Sequence, residues 1–171
     1  LVVRNADGDP LWAFASTYFD MTMGGIPPEG ADPVRDEQMD AFLAAKGRRL
    51  LGWDEILEGG LAPGAAVMSW RGMEGGVAAA RAGHDVVMAP TDYTYFDYYQ
   101  SEDRKSEPLA IGGFVPLEKV YSFEPVPPGL QPKESAHILG AQCQLWTEYI
   151  STPEKLEYMA YPRICALSEV V

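Results

Sequence analysis

The chain has 171 residues, 47% of them hydrophobic and 22% charged, which is the make-up of one globular domain or a piece of a larger one. A net charge of −12 and a pI near 4.5 argue against nucleic acid and anionic membrane surfaces as partners. Two cysteines and two histidines are too few for a zinc site, no cofactor is expected, and no run has the apolar length of a transmembrane helix.

The chain opens on Leu1 and shows no signal peptide; it reads as a fragment or a processed product. Residues 1–33 form an unassigned N-terminal segment. Leu1–Val3 resembles a strand end, and Asn5–Pro10 and Gly24–Gly30 carry turn chemistry. Trp12–Phe14 and Tyr18–Phe19 are apolar without a clean period. A helix is predicted from Pro33 to Lys46, with Asp32 as N-cap, Pro33 at the first position, and Met39, Phe42 and Leu43 as an apolar stripe. Gly47 ends it, and Arg48–Trp53 reads as a short strand.

Glu55–Glu58 is a helical turn stopped by Gly59–Gly60, and Ala65–Trp70 is the next strand. Met73–Ala82 is an alanine-rich helix ended by Gly83. Asp85–Ala89 is apolar almost throughout, as in a parallel strand covered on both faces. Thr91–Pro132 is long and irregular, with Tyr93, Tyr95, Phe96, Tyr98 and Tyr99, a charged turn at Glu102–Lys105, and a short helix at Leu117–Ser122. Ile138–Gln144 is the last strand. The cap Thr152 and Pro153 then begin a helix to about Val170, which Pro162 should kink or split.

Strands alternating with helices predict an α/β fold with a parallel sheet. The four strands end in Trp53, Trp70, the Tyr93–Asp97 cluster, and Trp146 with Glu148. Active sites in such folds lie at the carboxyl ends of the strands. A strand through Trp146 and Glu148 would point both side chains to one face, where a flat indole and an acceptor suit a sugar ring. The plainer alternative is that the indoles are core and the tyrosines pack a loop. Cys143 and Cys165 read as buried free thiols, with one disulfide as the alternative. His84 reads as a helix-end cap, His137 as a loop or strand-edge residue, and Met68 and Met88 as strand core.

Four stretches carry a resemblance. Gly47–Leu57, Val67–Gly72, Tyr95–Tyr99 and Leu139–Glu148 resemble, in order and spacing, the family 20 glycoside hydrolases, the β-N-acetylhexosaminidases, from about Asp36 to Val171. The resemblance implies a (β/α)8 TIM barrel. Residues 34–171 would be the C-terminal half of its catalytic domain, with strands equivalent to the fifth to eighth. It implies hydrolysis of terminal β-linked N-acetylglucosamine or N-acetylgalactosamine, with the sugar's own acetamido oxygen as nucleophile. Trp53, Trp70 and Trp146 would wall the pocket. Tyr95 would be the catalytic donor to the acetamido carbonyl, and Asp97 and Glu148 would accept from sugar hydroxyls.

The family's catalytic Asp–Glu pair has no match at the expected place, since Gly24–Gly25 is followed by Ile26–Pro27. Asp36–Glu37 opens a helix, and Asp54–Glu55 belongs to the fifth-strand motif, where a structural role is expected. The isolated chain is therefore expected to be inactive. It would be a sugar-binding half whose partners are carbohydrate and a missing barrel half or second copy. A non-catalytic amino-sugar-binding module and an inactive structural fragment are the alternatives. The compartment stays open; a periplasmic, secreted or lysosome-like parent suits the resemblance.

Overall fold

A computed structural model of the chain describes residues 12–14 and 33–171, with side chains described from Glu37 onward. The elements in chain order are β1 (Trp12–Phe14), α1 (Pro33–Ala44), β2 (Arg49–Trp53) with a 3-10 turn at Asp54–Leu57, β3 (Ala66–Ser69), α2 (Glu74–Arg81) and β4 (Val86–Met88). They continue with α3 (Thr91–Thr94), α4 (Leu117–Tyr121), α5 (Pro132–Ser135), β5 (Ile138–Ala141), α6 (Pro153–Ala160) and α7 (Arg163–Val170).

The five strands form one parallel sheet in the order β1-β2-β3-β4-β5. The α/β fold class and the four expected strands are therefore present. β1 adds a fifth, pairing Ala13 with Leu50. Three residues without a clean period carry no strand signal of their own; the neighbour β2 supplies the pairing. Gly24–Gly25 and the remainder of residues 1–32 outside β1 lie outside the described residues.

Alternation along the strands gives the sheet two different faces. Leu50, Val67, Val86 and Met88 point to one side, where Ala79 and Ala80 of α2, Val120 of α4 and Leu167 of α7 complete the main core. Burying each of the valine, leucine and methionine side chains among them contributes about 1.5–3 kcal/mol. Leu51, Trp53, Ala66, Met68 and Ala89 point to the other side as a smaller cluster, with Trp70 and Val87 against it. The second face therefore becomes aromatic toward the carboxyl ends of β2 and β3.

The helix signals hold with local corrections. α2 ends in a Schellman arrangement, with Gly83 N–H donating to Ala80 O and His84 N–H to Ala79 O; Gly83 takes φ 85°. His84 also places Nδ1 2.8 Å from Ala65 O. Thr152 caps α6 by accepting from Lys155 N–H at 3.2 Å. The C-terminal helix is split into α6 and α7 at Pro162. The stripe on α1 is only partly covered: Leu43 packs on the core, while Met39 and Phe42 are 39% and 60% exposed. Met68 and Met88 are fully buried. Both cysteines are free thiols, but neither is fully buried: Cys143 is half-buried, and Cys165 is exposed because α7 turns it outward while Ala166 and Leu167 face the core.

The loop between α3 and α4 is anchored where Gly113 (φ 63°) lies against Tyr98. A Cβ there would fall 2.0 Å from the ring. Gly113→Ala is expected to cost on the order of 2–4 kcal/mol, read as a lowered urea midpoint. Gly47→Ala, with φ 65° but open space around it, should cost only about 1–2 kcal/mol.

Candidate active site

Because every strand is parallel, the carboxyl ends of β2, β3, β4 and β5 share one edge of the sheet. Trp53 closes β2 and Trp70 follows β3 directly. Past β4 and β5 the two chains stay zipped together by three backbone bonds. Gln142 N–H donates to Met88 O, Gln144 N–H to Thr94 O, and Phe96 N–H to Gln144 O. The resulting bridge pairs Tyr95 with Gln144 and sets Asp97 and Trp146 just beyond it. The strand predicted to reach Gln144 ends at Ala141, so Trp146 and Glu148 owe their placement to this bridge and not to strand alternation.

The four aromatic residues form a connected chain. Trp146 and Trp53 have ring centroids 6.2 Å apart, Trp53 and Trp70 6.4 Å at 74°, and Trp70 and Tyr95 6.4 Å at 30°. Trp53 and Tyr95 are buried, Trp70 is half-buried, and Trp146 is 43% exposed. The structure thus brings together three indoles and a phenol from four separate stretches. Core packing would bury such a set completely, yet its outer member faces solvent.

Polar groups lie at the same end of the sheet as the rings. Asp97 is only 4% exposed and its Oδ1 has no partner among the described residues. Burial pushes its pKa up to about 6, with the charge of Glu148 adding to the rise; its own backbone N–H and Arg163 oppose it. Glu148 is exposed. Burial also pushes the Tyr95 phenol well above its ordinary range, against the opposing hydrogen bond from Trp146, so Tyr95 remains a neutral O–H donor. Gln142 Nε2 donates to Gln144 Oε1 at 3.1 Å, and Gln142 Oε1 is buried without a partner among the described residues. Buried acceptors are ordinarily hydrogen-bonded, so these two atoms are exceptions at this end of the sheet.

Asp54–Glu55 lies behind Trp70 and hydrogen-bonds to it. Asp54 Oδ2 accepts from the backbone N–H of Trp70 at 2.9 Å and of Arg71 at 3.1 Å, and Asp54 Oδ1 from Arg71 Nε at 2.5 Å. A surface hollow of about 340 Å³ at the opposite end of the sheet is lined by Arg81, Lys133 and His137 among others. It contains no aromatic ring, and this end of such folds serves stability. Among the described residues no group of His, Cys, Asp and Glu could hold a metal ion, and no helix is long and apolar enough to cross a membrane.

Residues 34–171 match the model of the glycosyl hydrolase family 20 catalytic domain. The chain belongs to glycosyl hydrolase family 20. It is 52% identical over 135 residues to a beta-hexosaminidase of Porphyromonas gingivalis, covering 78% of this chain and 17% of that one. It is 33% identical over 129 residues to a beta-hexosaminidase of Vibrio furnissii, covering 74% and 21%. The chain thus spans about a fifth of the length of these relatives. A family 20 exo-β-N-acetylglucosaminidase from Vibrio harveyi, solved with N-acetylglucosamine, superposes with a TM-score of 0.69 at 32% identity, over 81% of this chain and 22% of that one. The Streptomyces plicatus N-acetyl-β-hexosaminidase shares the fold with a TM-score of 0.77 at 24% identity, over 95% of this chain and 33% of that one. The catalytic domain of family 20 is a TIM barrel, and the parallel α/β sheet seen here is consistent with part of one.

Three residues of this family 20 chain went unassigned in the sequence. Gln142 and Gln144 share the parity of Trp146, a signal that was available. Arg163 is fully buried, donating to Phe96 O, Tyr98 O, Val115 O and Met159 O. An arginine next to a proline in an amphipathic helix carries no signal for that.

Proposed function

We propose that this chain forms the sugar-binding wall of a hydrolase that removes terminal β-linked N-acetylhexosamine residues. The observation that carries the reading is the connected set Trp146–Trp53–Trp70–Tyr95 with the buried Asp97 near it, its Oδ1 without a partner among the described residues. The sheet corresponds to the fifth to eighth strands of the barrel, with β1 beside the first of them. The indoles cover the apolar face of the sugar and enclose its acetamido methyl. Asp97 and Glu148 accept from the outer hydroxyls.

The chemistry is substrate-assisted. The acetamido carbonyl oxygen attacks the anomeric carbon, and the bond to the leaving oxygen breaks as a general acid protonates that oxygen. Water then opens the oxazolinium ion with retention. Folding the acetamide under the ring raises its effective concentration at the reacting carbon, which is what a fitted aromatic wall contributes. The neutral Tyr95 hydroxyl donates to the acetamido oxygen and steadies the attacking group. The general acid comes from outside the residues given roles here. A second reading, an amino-sugar-binding module without turnover, rests on the same aromatic wall, since holding a sugar needs no general acid.

The test is calorimetry with N-acetylglucosamine on the folded chain, together with an aryl N-acetyl-β-glucosaminide assay on the protein as encoded. Binding by the chain and turnover by the encoded protein are expected. Binding without turnover in the encoded protein selects the second reading. No binding by a cooperatively folded chain removes both.

A further inference from the structure

The Asp54–Glu55 pair has no part in the chemistry above, yet it holds residue 70 at both ends. The backbone N–H of Trp70 and of Arg71 both donate to Asp54 Oδ2. The Trp70 indole Nε1–H donates to both oxygens of Glu55, at 3.1 and 3.0 Å. Glu55 sits on the 3-10 turn after β2, so its position is set by the main chain of a neighbouring strand. That turn is tightly packed: a Cβ on Gly52 would fall 2.8 Å from Ile56 Cγ2, and one on Gly75 3.0 Å from Asp54 Cβ.

We infer that Glu55 is a positioning residue which sets the size of N-acyl group the site accepts, by locking the Trp70 ring between Trp53 and Tyr95. The inference rests on the amino-sugar reading of the site. An indole turns about two side-chain torsions, and an acceptor fixed at Nε1, off the axis of both, defines both. Trp70 touches Trp53 edge-on at 74° and Tyr95 at 30°, so a turn of its ring would change both contacts and open the wall. Without Glu55 a half-buried N–H lacks its acceptor, and the ring turns to find another. Asp54 continues to hold the backbone, so the ring is released without moving the end of β3. A fitted apolar wall discriminates about 10- to 200-fold per methylene, and a loosened one discriminates less.

The experiment compares wild type, Glu55→Gln, Glu55→Ala and, as a control on the Arg71 partner, Glu58→Gln, each in the protein as encoded. Glucosamine carrying N-acetyl, N-propionyl or N-butyryl groups is titrated while the indole N–H resonances are followed by NMR, with Trp70→Phe assigning the Trp70 signal. In wild type the N-acetyl ligand should be preferred. Glu55→Ala should reduce the N-acetyl over N-butyryl preference by about fivefold or more and shift the Trp70 resonance before any ligand is added. Glu55→Gln, which keeps an acceptor oxygen, and Glu58→Gln should stay near wild type. A folded Glu55→Ala variant with its preference intact, or with the Trp70 resonance unmoved, overturns the inference. If wild type binds none of the three ligands, the amino-sugar reading fails and the size claim with it, while the Trp70 resonance still decides whether Glu55 locks the ring.

Discussion

Asp97→Asn should abolish most sugar affinity while leaving the fold as stable as wild type or more so. The carboxylate is nearly fully buried and its pKa is pushed up to about 6 by that burial. In the unfolded chain the same group titrates near 3.8. Between those values the native state holds the extra proton, so stability falls as pH rises through this window. At neutral pH the buried charge costs on the order of 1–3 kcal/mol. The amide removes that cost.

Asp97→Asn also removes a charged acceptor for ligand hydroxyls, a bond of about 1.5–3 kcal/mol, so affinity for N-acetylglucosamine should drop about 10- to 150-fold. The pH dependence separates the two effects. Wild-type affinity should weaken as pH falls below about 6, by up to tenfold per unit, and the Asn variant should give a flat profile. Calorimetric titrations across that range, with urea unfolding at its two ends, check both halves. A variant that loses stability at neutral pH, or keeps its affinity, contradicts this account.

Arg163→Met carries the largest expected loss of stability. The guanidinium is 0% exposed, and its centre lies 4.9 Å from the Phe96 ring centroid. Burial pulls its pKa down to about 10, so it stays protonated at neutral pH, with Asp97 the leading group that opposes the fall. Its two terminal nitrogens satisfy four carbonyls, two of which, on Phe96 and Tyr98, flank Asp97. Methionine fills the volume but leaves those carbonyls buried and unmet. The expected cost is on the order of 3–5 kcal/mol, a large share of the stability of a domain this size. Arg163→Lys keeps the charge without the planar fork and should fall between the two. Thermal and urea unfolding of the three proteins should rank them in that order; a stable Met variant contradicts the assignment.

Arg163 and Cys165 mark what single-sequence reading misses. Both belong to α7, and helical spacing alone does not say that residue 163 faces the α3–α4 loop and the end of α6 while residue 165 faces solvent. The strands, the Gly83 helix end, the Thr152 cap and the break at Pro162 were legible because each depends on residues within a few positions of one another. β1 was not, because three residues become a strand only by pairing with Leu50 and its neighbours.

For the site the division is similar. The sequence by itself determined which residue types stand at the ends of β2 and β3 and in the segments that follow β4 and β5, because strand period and turn chemistry are local. It also carries the motifs that mark family 20. Tertiary structure alone decided that Trp53, Trp70, Tyr95 and Trp146 form one connected wall, that Asp97 Oδ1 is buried without a partner among the described residues, and that Glu55 reaches the Trp70 indole. These depend on strand register and on the bridge between Tyr95 and Gln144, which joins segments 49 residues apart (144 minus 95). Register is set by the packing of both sheet faces together, and a local stretch contains only one side of that balance.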